Sequence, residues 1–295
     1  MAGINTNRTN ITLPQDVSAE IMQKTQEQSA VMSLAKQIAL PGRGLTIPVI
    51  TGDPEAAWVD ETNAKPVSNP SLSTKIMQAY KLAVIVPFSD EFARDMKALY
   101  DALVARLPLA LAQKFDATVF HGTAPGSNFD TFASVTAQSI SGTGNSFYNA
   151  LVAADTDIAT HSGILNGFAM SPQAKGEMLA AVDGNDRPLF VNSVAEGAVP
   201  RLIGAPVEYT KGAYKDGTSG QSATPDVIGF AGDWTQALYG TVEGVKIDMS
   251  NQATLTISDD PVNLWERNMF AVRAEIEVGF RADTTVFNKI TRAHA

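Results

Sequence analysis

The stretch from Arg43 to Lys114 constrains the fold most. Two apolar segments, Arg43–Thr51 and Ser73–Val86, read as the strands of a long hairpin arm that runs directly into a helix opening at Ser89. Between them, Gly52–Leu72 is rich in Pro, Asn, Ser and charged residues. Loops of that length are uncommon in compact domains and are usually functional. The arm has no core of its own, and ordering it costs conformational entropy. Its cover is therefore expected from another copy of the same subunit, which favours an assembly protein over an enzyme.

Composition bounds the alternatives. A chain of 295 residues with 44% hydrophobic side chains can bury the core of one large or two medium domains. Cysteine is absent, which excludes disulfides, thiolate metal sites and cysteine nucleophiles and suits a reducing cytoplasm. The formal charge of −9 argues against a protein that grips nucleic acid, because phosphate affinity comes from clustered Lys and Arg. It is compatible with a container that holds DNA by confinement. No apolar run reaches the length of a membrane span and no basic, apolar leader opens the chain, so neither a membrane nor secretion is expected. The sequons Asn7–Thr9 and Asn10–Thr12 are then chance matches.

Along the chain, residues 1–14 read as a polar tail. Val17, Ile21, Leu34 and Ile38, between Pro14 and Pro41, predict a helix over Gln15–Leu40 with one narrow apolar stripe. Ile76, Tyr80, Leu82, Val84, Val86 and Phe88 alternate as one face of a strand that Pro87 should stop. Ser89 then offers an N-cap, with Asp90 and Glu91 at the positive end of the helix dipole. Phe92, Met96, Leu99, Leu103, Leu107, Leu111 and Phe115 predict a long amphipathic helix, kinked or broken at Pro108. From His121 to Val245 glycine-rich turns separate predicted helices at Phe147–Thr160 and Pro172–Val182 from strands at Gly167–Met170 and Pro206–Thr210. Leu264–Phe280 alternates as one long strand, expected to pack on the long helix as an elongated platform. The fold class is α+β.

Several segments carry a resemblance. Trp58, Glu61 and Lys65-Pro66, followed by Tyr80–Phe92, resemble the extended loop and spine-helix start of tailed-bacteriophage major capsid proteins, which share the Hong Kong ninety-seven fold. Gly167–Pro172, Asp186–Phe190, Gly204–Lys211, Gly232–Trp234 and Asn268–Phe280 resemble later parts of that fold, in the same order. The resemblance implies an N-terminal arm (1–41), an extended β-hairpin loop (42–80), a peripheral domain with the spine helix and long strand (81–120 and 246–295) and an axial domain (121–245). It implies a subunit that self-assembles into hexamers and pentamers of an icosahedral virion shell around double-stranded DNA, made in the bacterial host cytoplasm. Portal, scaffold and cement proteins are the implied partners, with any scaffold a separate protein. Asp183, Asp186 and Arg187 are placed at the capsomer axis, and Trp58, Glu61, Lys65 and Trp265 at subunit contacts. The alternatives are an encapsulin-like cargo compartment and, in another class, a soluble hydrolase or ligand-binding protein.

Enzyme motifs are weak. His121, His161 and His294 have no metal-binding spacing and read as turn or surface residues, and no cofactor is expected. Gly142-Thr-Gly144 lacks the third glycine of a dinucleotide loop and reads as a turn, while Asp155 and Asp157 read as the solvated face of a helix. In crosslinking members of the resembled family a loop lysine joins a neighbour's asparagine with help from a glutamate, and the matching positions are Lys65, Asn268 and Glu275. Such a bond needs a desolvated lysine, a carboxylate in an apolar niche as proton acceptor, and proximity. The plainer reading makes the three residues polar contacts between subunits.

Overall fold

A computed structural model describes residues 22–26, 28–42, 44–50, 58–59, 72–90, 96–140, 147–181, 201–220, 223–257 and 260–294. In chain order, helical residues 22–26 and a short helix at Ala30–Leu34 lead into β1 (Lys36–Ala39), β2 (Leu45–Ile50), β3 (Leu72–Met77) and β4 (Tyr80–Ser89). The long helix Met96–Phe120 follows, then β5 (Thr136–Ser139), the helix Phe147–Thr160, β6 (Gly167–Met170) and the helix Pro172–Ala180. The rest is strand: β7 (Arg201–Leu202), β8 (Ala205–Tyr209), β9 (Asp226–Gly232), β10 (Ala237–Thr241), β11 (Lys246–Ser250), β12 (Thr254–Ile257), β13 (Asp260–Asn263), β14 (Met269–Ala282) and β15 (Phe287–Arg292), with single 3-10 turns between some of them.

Two sheets form the body. In the five-stranded sheet β14 is the axis: β10 and β11 pair with its two ends, β4 pairs along Met269–Val278, and β1 adds parallel to β10. The fourteen residues of β14 span about 46 Å, against about 37 Å for the twenty-five-residue helix. Phe115 of that helix meets Phe280 edge-on, with ring centroids 6.4 Å apart, so helix and strand do form a platform. The six-stranded sheet runs β5-β15-β9-β6-β8-β7.

An aromatic knot joins the sheets. Phe132 stacks on Phe287 at 4.3 Å and meets Phe280 edge-on at 5.5 Å, while Phe120, at the end of the long helix, stacks on Phe230 at 4.7 Å. All five rings are fully buried. Edge-on and offset arrangements suit the ring quadrupole, which gives the junction geometry as well as buried area.

Several expectations need correction. The N-terminal helix ends at Leu34; residues 36–39, including Ile38, are strand, captured by parallel pairing to Leu238–Thr241. The second hairpin strand is two strands, because β3 pairs with β2 while β4 pairs with β14. The buried parity flips between them: Met77 is buried and Ile76 exposed, whereas Tyr80, Leu82, Val84, Val86 and Phe88 pack on the core. Pro87 does not end β4, which runs to Ser89; Pro87 lies opposite Ala271 on a strand whose other edge takes no partner among the described strands, where a missing N–H is tolerated. Nor does Pro108 break the long helix. The long strand begins at Met269, not Leu264, since residues 264–268 form a turn. Sheet membership also cuts across the segment boundaries implied by the resemblance, for β10 lies in the sheet of β14 and β15 in the other.

The predicted helix Phe147–Thr160 and strand Gly167–Met170 are both present. The next helix spans Pro172–Ala180, capped by the Ser171 hydroxyl, which accepts from the Ala174 N–H at 3.2 Å.

Candidate assembly surfaces

The turn before β14 is a shaped surface. Leu264 is buried and anchors it, Met269 donates its N–H back to the Leu264 carbonyl at 2.9 Å, and Asn263 Oδ1 accepts from the Trp265 N–H at 3.1 Å. Closing so tight a loop puts Asn268 at φ 50°, a left-handed conformation that asparagine tolerates better than most residues. Its carbonyl takes the Asp90 N–H at 2.9 Å, tying the turn to the end of β4. Trp265 is left 71% exposed. A half-open depression of about 520 Å³ lies here, lined by Asp90, Asn251, Trp265, Glu266, Asn268 and Met269. Small-molecule sites are mostly apolar and enclosed, whereas this depression is lined by two carboxylates, two amides, an indole and Met269.

Along β14 the side chains alternate. Phe270, Val272, Ala274, Ile276, Val278 and Phe280 are buried, while Arg273, Glu275 and Glu277 point to the other face. That outer row is cross-braced: Arg273 reaches Asp248 at 2.8 Å and Glu275 at 3.1 Å, and Lys81 reaches Glu277 at 3.4 Å. Glu275 is thus held by a guanidinium within its own chain, a setting unlike an apolar niche. Asn268 and Glu275 are seven residues apart along the chain, roughly 23 Å if extended. One chain does not bring them together, so any joint chemistry would draw them from different copies. Lys65 lies outside the described residues, as do Glu61, Asp183, Asp186 and Arg187. Trp58 is described and fully exposed.

Three arrangements escaped the sequence reading. Asp116, on the buried face of the long helix, binds residues of the N-terminal segment and of the corner after β8. Its helical spacing from Ala112 and Val119, both buried, was the available signal. Arg281 clamps the base of the hairpin arm, donating to Ile76 O at 2.8 Å, Asp130 Oδ1 at 2.8 Å and Asn128 Oδ1 at 3.0 Å. Asp226 gathers Gly217 N at 2.8 Å, Arg292 Nε at 3.1 Å and His294 Nδ1 at 2.7 Å. Burial works to raise its carboxyl, but the bonds from His294, Gly217 and Arg292 outweigh that and hold it down at about 2.

The histidines are therefore not all bland. His294 sits in that network, and His121 is partly buried with Nε2 3.0 Å from Ala213 O, which requires the proton on Nε2. Burial pushes His121 down to about 4. Asp216, Asp226 and His294 bring ligand atoms within 4.8 Å of one another, the one such grouping among the described residues. Arg292 already occupies the Asp226 carboxylate, and the cluster fits an ion-pair network better than a cation site.

Known proteins resemble this chain along most of its length. The model of the phage capsid family matches residues 9–283. The probable major capsid protein gp17 of Mycobacterium phage L5 is 30% identical over 284 residues, covering 90% of this chain and 85% of that protein. The major capsid protein of Staphylococcus phage 80alpha is 25% identical over 295 residues, 96% of this chain and 85% of that one. Among solved structures, a chain from Gordonia phage Cozz shares the fold at a TM-score of 0.70 with 20% identity, covering 91% of this chain and 87% of its own. A family match across nearly the whole chain, carried by a fold with a two-stranded hairpin and a long helix that meets a long strand, leaves one conclusion: this protein belongs to the phage capsid family.

Proposed function

We propose that the chain is a phage major capsid protein, copies of which build the closed shell of the virion as hexameric and pentameric capsomers around double-stranded DNA. The family match over residues 9–283 carries this reading. The hairpin of β2 and β3 supports it, since it forms a two-stranded sheet of its own and needs a neighbour to cover it. On this reading residues 1–41 are the arm, 42–80 the extended loop, 81–120 with 246–295 the peripheral domain and 121–245 the axial domain, with β10 and β15 exchanged between the two sheets. Trp58, Glu61, Lys65 and Trp265 lie at subunit contacts, and Asp183, Asp186 and Arg187 at the capsomer axis. A portal and any scaffold or cement protein are its partners, DNA is held without sequence preference, and synthesis takes place in the host cytoplasm.

Electron microscopy of the expressed protein tests the central claim. Closed shells or capsomer rings are expected, and a monodisperse monomer at high concentration would overturn it. Nuclease-resistant DNA inside particles from infected cells separates a virion from a cargo compartment.

Within this reading Lys65, Asn268 and Glu275 act as polar contacts between copies, and the Arg273 guanidinium on Glu275 within the same chain counts against Glu275 as a proton acceptor. Mature particles boiled in detergent should run as one monomer band. A ladder of multimers, each bond lighter by about 17 Da from lost ammonia and lost again in Glu275→Ala, would instead establish an isopeptide crosslink with Glu275 as proton acceptor.

A further inference from the structure

Three chain segments meet at Asp116, which has no exposed surface. Its carboxylate accepts from Ser29 Oγ at 2.6 Å, Ala30 N at 3.0 Å and Val31 N at 3.4 Å in the N-terminal segment, and from Thr210 Oγ1 at 2.9 Å after β8. All four donors are neutral. A buried charge normally takes a partner of opposite sign, yet among the described residues burial and those four bonds are the forces acting on this one's ionisation, with no charge among them. Among the described residues, titratable side chains on the elements packed here are Lys24 and Lys36 on the N-terminal segment, Arg106 and Lys114 on the long helix with His121 just after its end, and Glu208, Tyr209 and Lys211 beside Thr210.

We propose that docking of the N-terminal segment onto the long helix is proton-linked through Asp116: the segment closes more tightly over the protonated carboxyl than over the carboxylate, so acid strengthens the joint. The geometry permits both states. A protonated carboxyl donates its one O–H to the hydroxyl oxygen of Ser29 or of Thr210, and that hydroxyl turns from donor to acceptor while the other goes on donating. Burial pushes the Asp116 carboxyl from its ordinary 3.8 up to about 6, against the four bonds that lower it. When the segment lifts, water reaches the group and its affinity for the proton falls back. A group raised in the closed state contributes stability that is fully present below its open-state value and is lost as pH rises through its closed-state value. The window therefore lies between about pH 4 and 6, and His121, pushed down to about 4, stays neutral across most of it.

Hydrogen–deuterium exchange of the full chain, corrected for intrinsic rates, reads the joint at the Ala30 and Val31 amides. Their protection should rise roughly tenfold from pH 7 to pH 5, and Asp116→Asn, which cannot titrate, should be flat. Thr210→Val supplies an independent reading if Asp116→Asn does not fold: removing a donor that favours the carboxylate should move the midpoint to higher pH. A flat wild-type profile, an equal rise in Asp116→Asn, or an unmoved midpoint in Thr210→Val would each overturn the proposal.

Discussion

The hairpin arm and the N-terminal segment are both appendages of the same body, but the arm is fastened at its base by a part-buried fork of charge and the segment by a fully buried carboxylate and a strand. At the arm, Arg281 spreads its guanidinium over Ile76 O, Asp130 and Asn128, and Lys75 donates to Ala282 O at 3.0 Å. Among the arm's described residues only Met77, at the inner end of β3, is fully buried. In the segment, Val31 and Leu40 are buried, β1 pairs with β10, and Asp116 ties Ser29 to the long helix. A joint of part-exposed charges can open with water replacing each bond, at lower cost than a fully buried one. A buried joint must release its core contacts together, so the arm can adjust to its neighbours while the segment acts as part of the body.

Breaking the buried joint should have the largest effect. Asp116→Ala leaves the Ser29 and Thr210 hydroxyls and two backbone N–H groups without their acceptor; each buried unsatisfied group costs about 1–3 kcal/mol. A loss of about 3 kcal/mol or more in denaturant unfolding of the unassembled chain is expected. Gly212→Ala attacks the same joint from the other side, since a Cβ there would come within 2.7 Å of the Asp116 Cβ, and overpacking of that kind costs about 1–3 kcal/mol.

The arm joint should break more gently. Arg281→Ala removes charge-assisted bonds and should cost about 1–3 kcal/mol, read as faster proteolysis within 45–77 with little change in the rest of the chain. Arg281→Lys should rescue little, because an ammonium cannot span the three acceptors that the planar fork reaches. Equal loosening of arm and body would erase the contrast drawn above.

How much of this was legible follows from which interactions are local. The helix Phe147–Thr160, the strand at Gly167 and the alternation from Phe270 to Phe280 write their own periods, and the structure contains them. Partner choice writes no period. Ile76 and Tyr80–Phe88 share parity in the sequence, but β3 and β4 pair with different strands and the buried face flips between them. Lys36–Ala39 reads as the tail of a helix until β10, some two hundred residues away, pairs with it; such non-local pairing overrides propensity. The candidate site was half visible: Trp265 and Asn268 do stand at a shaped turn, whereas Arg281 and Asp116 gain their meaning from partners far along the chain.

A second acid sharpens the comparison through pH. Asp226 is depressed to about 2, so its contribution is present above its ordinary value and is lost as pH falls through about 2. Asp116 has the opposite sign, its contribution fading as pH rises through about 6. Thermal unfolding of Asp116→Asn should lose the wild type's gain between pH 6 and 4, while Asp226→Asn should lose the strong-acid drop and leave that gain intact. Profiles that changed identically in both variants would show that neither acid acts alone.

The smallest effect on folding is expected at Trp265, and there the comparison turns from joints within a chain to contacts between chains. The indole is 71% exposed, its backbone is fixed by Asn263 and its neighbour Leu264 supplies the anchor, so Trp265→Ala should change unfolding by less than about 0.5 kcal/mol. If the indole fills a neighbouring copy in the shell, the same change should weaken assembly strongly, since buried tryptophans dominate interface energies. Sedimentation of assembled against free subunit measures this directly. Normal shells from Trp265→Ala would remove that turn from the assembly surfaces without touching either joint.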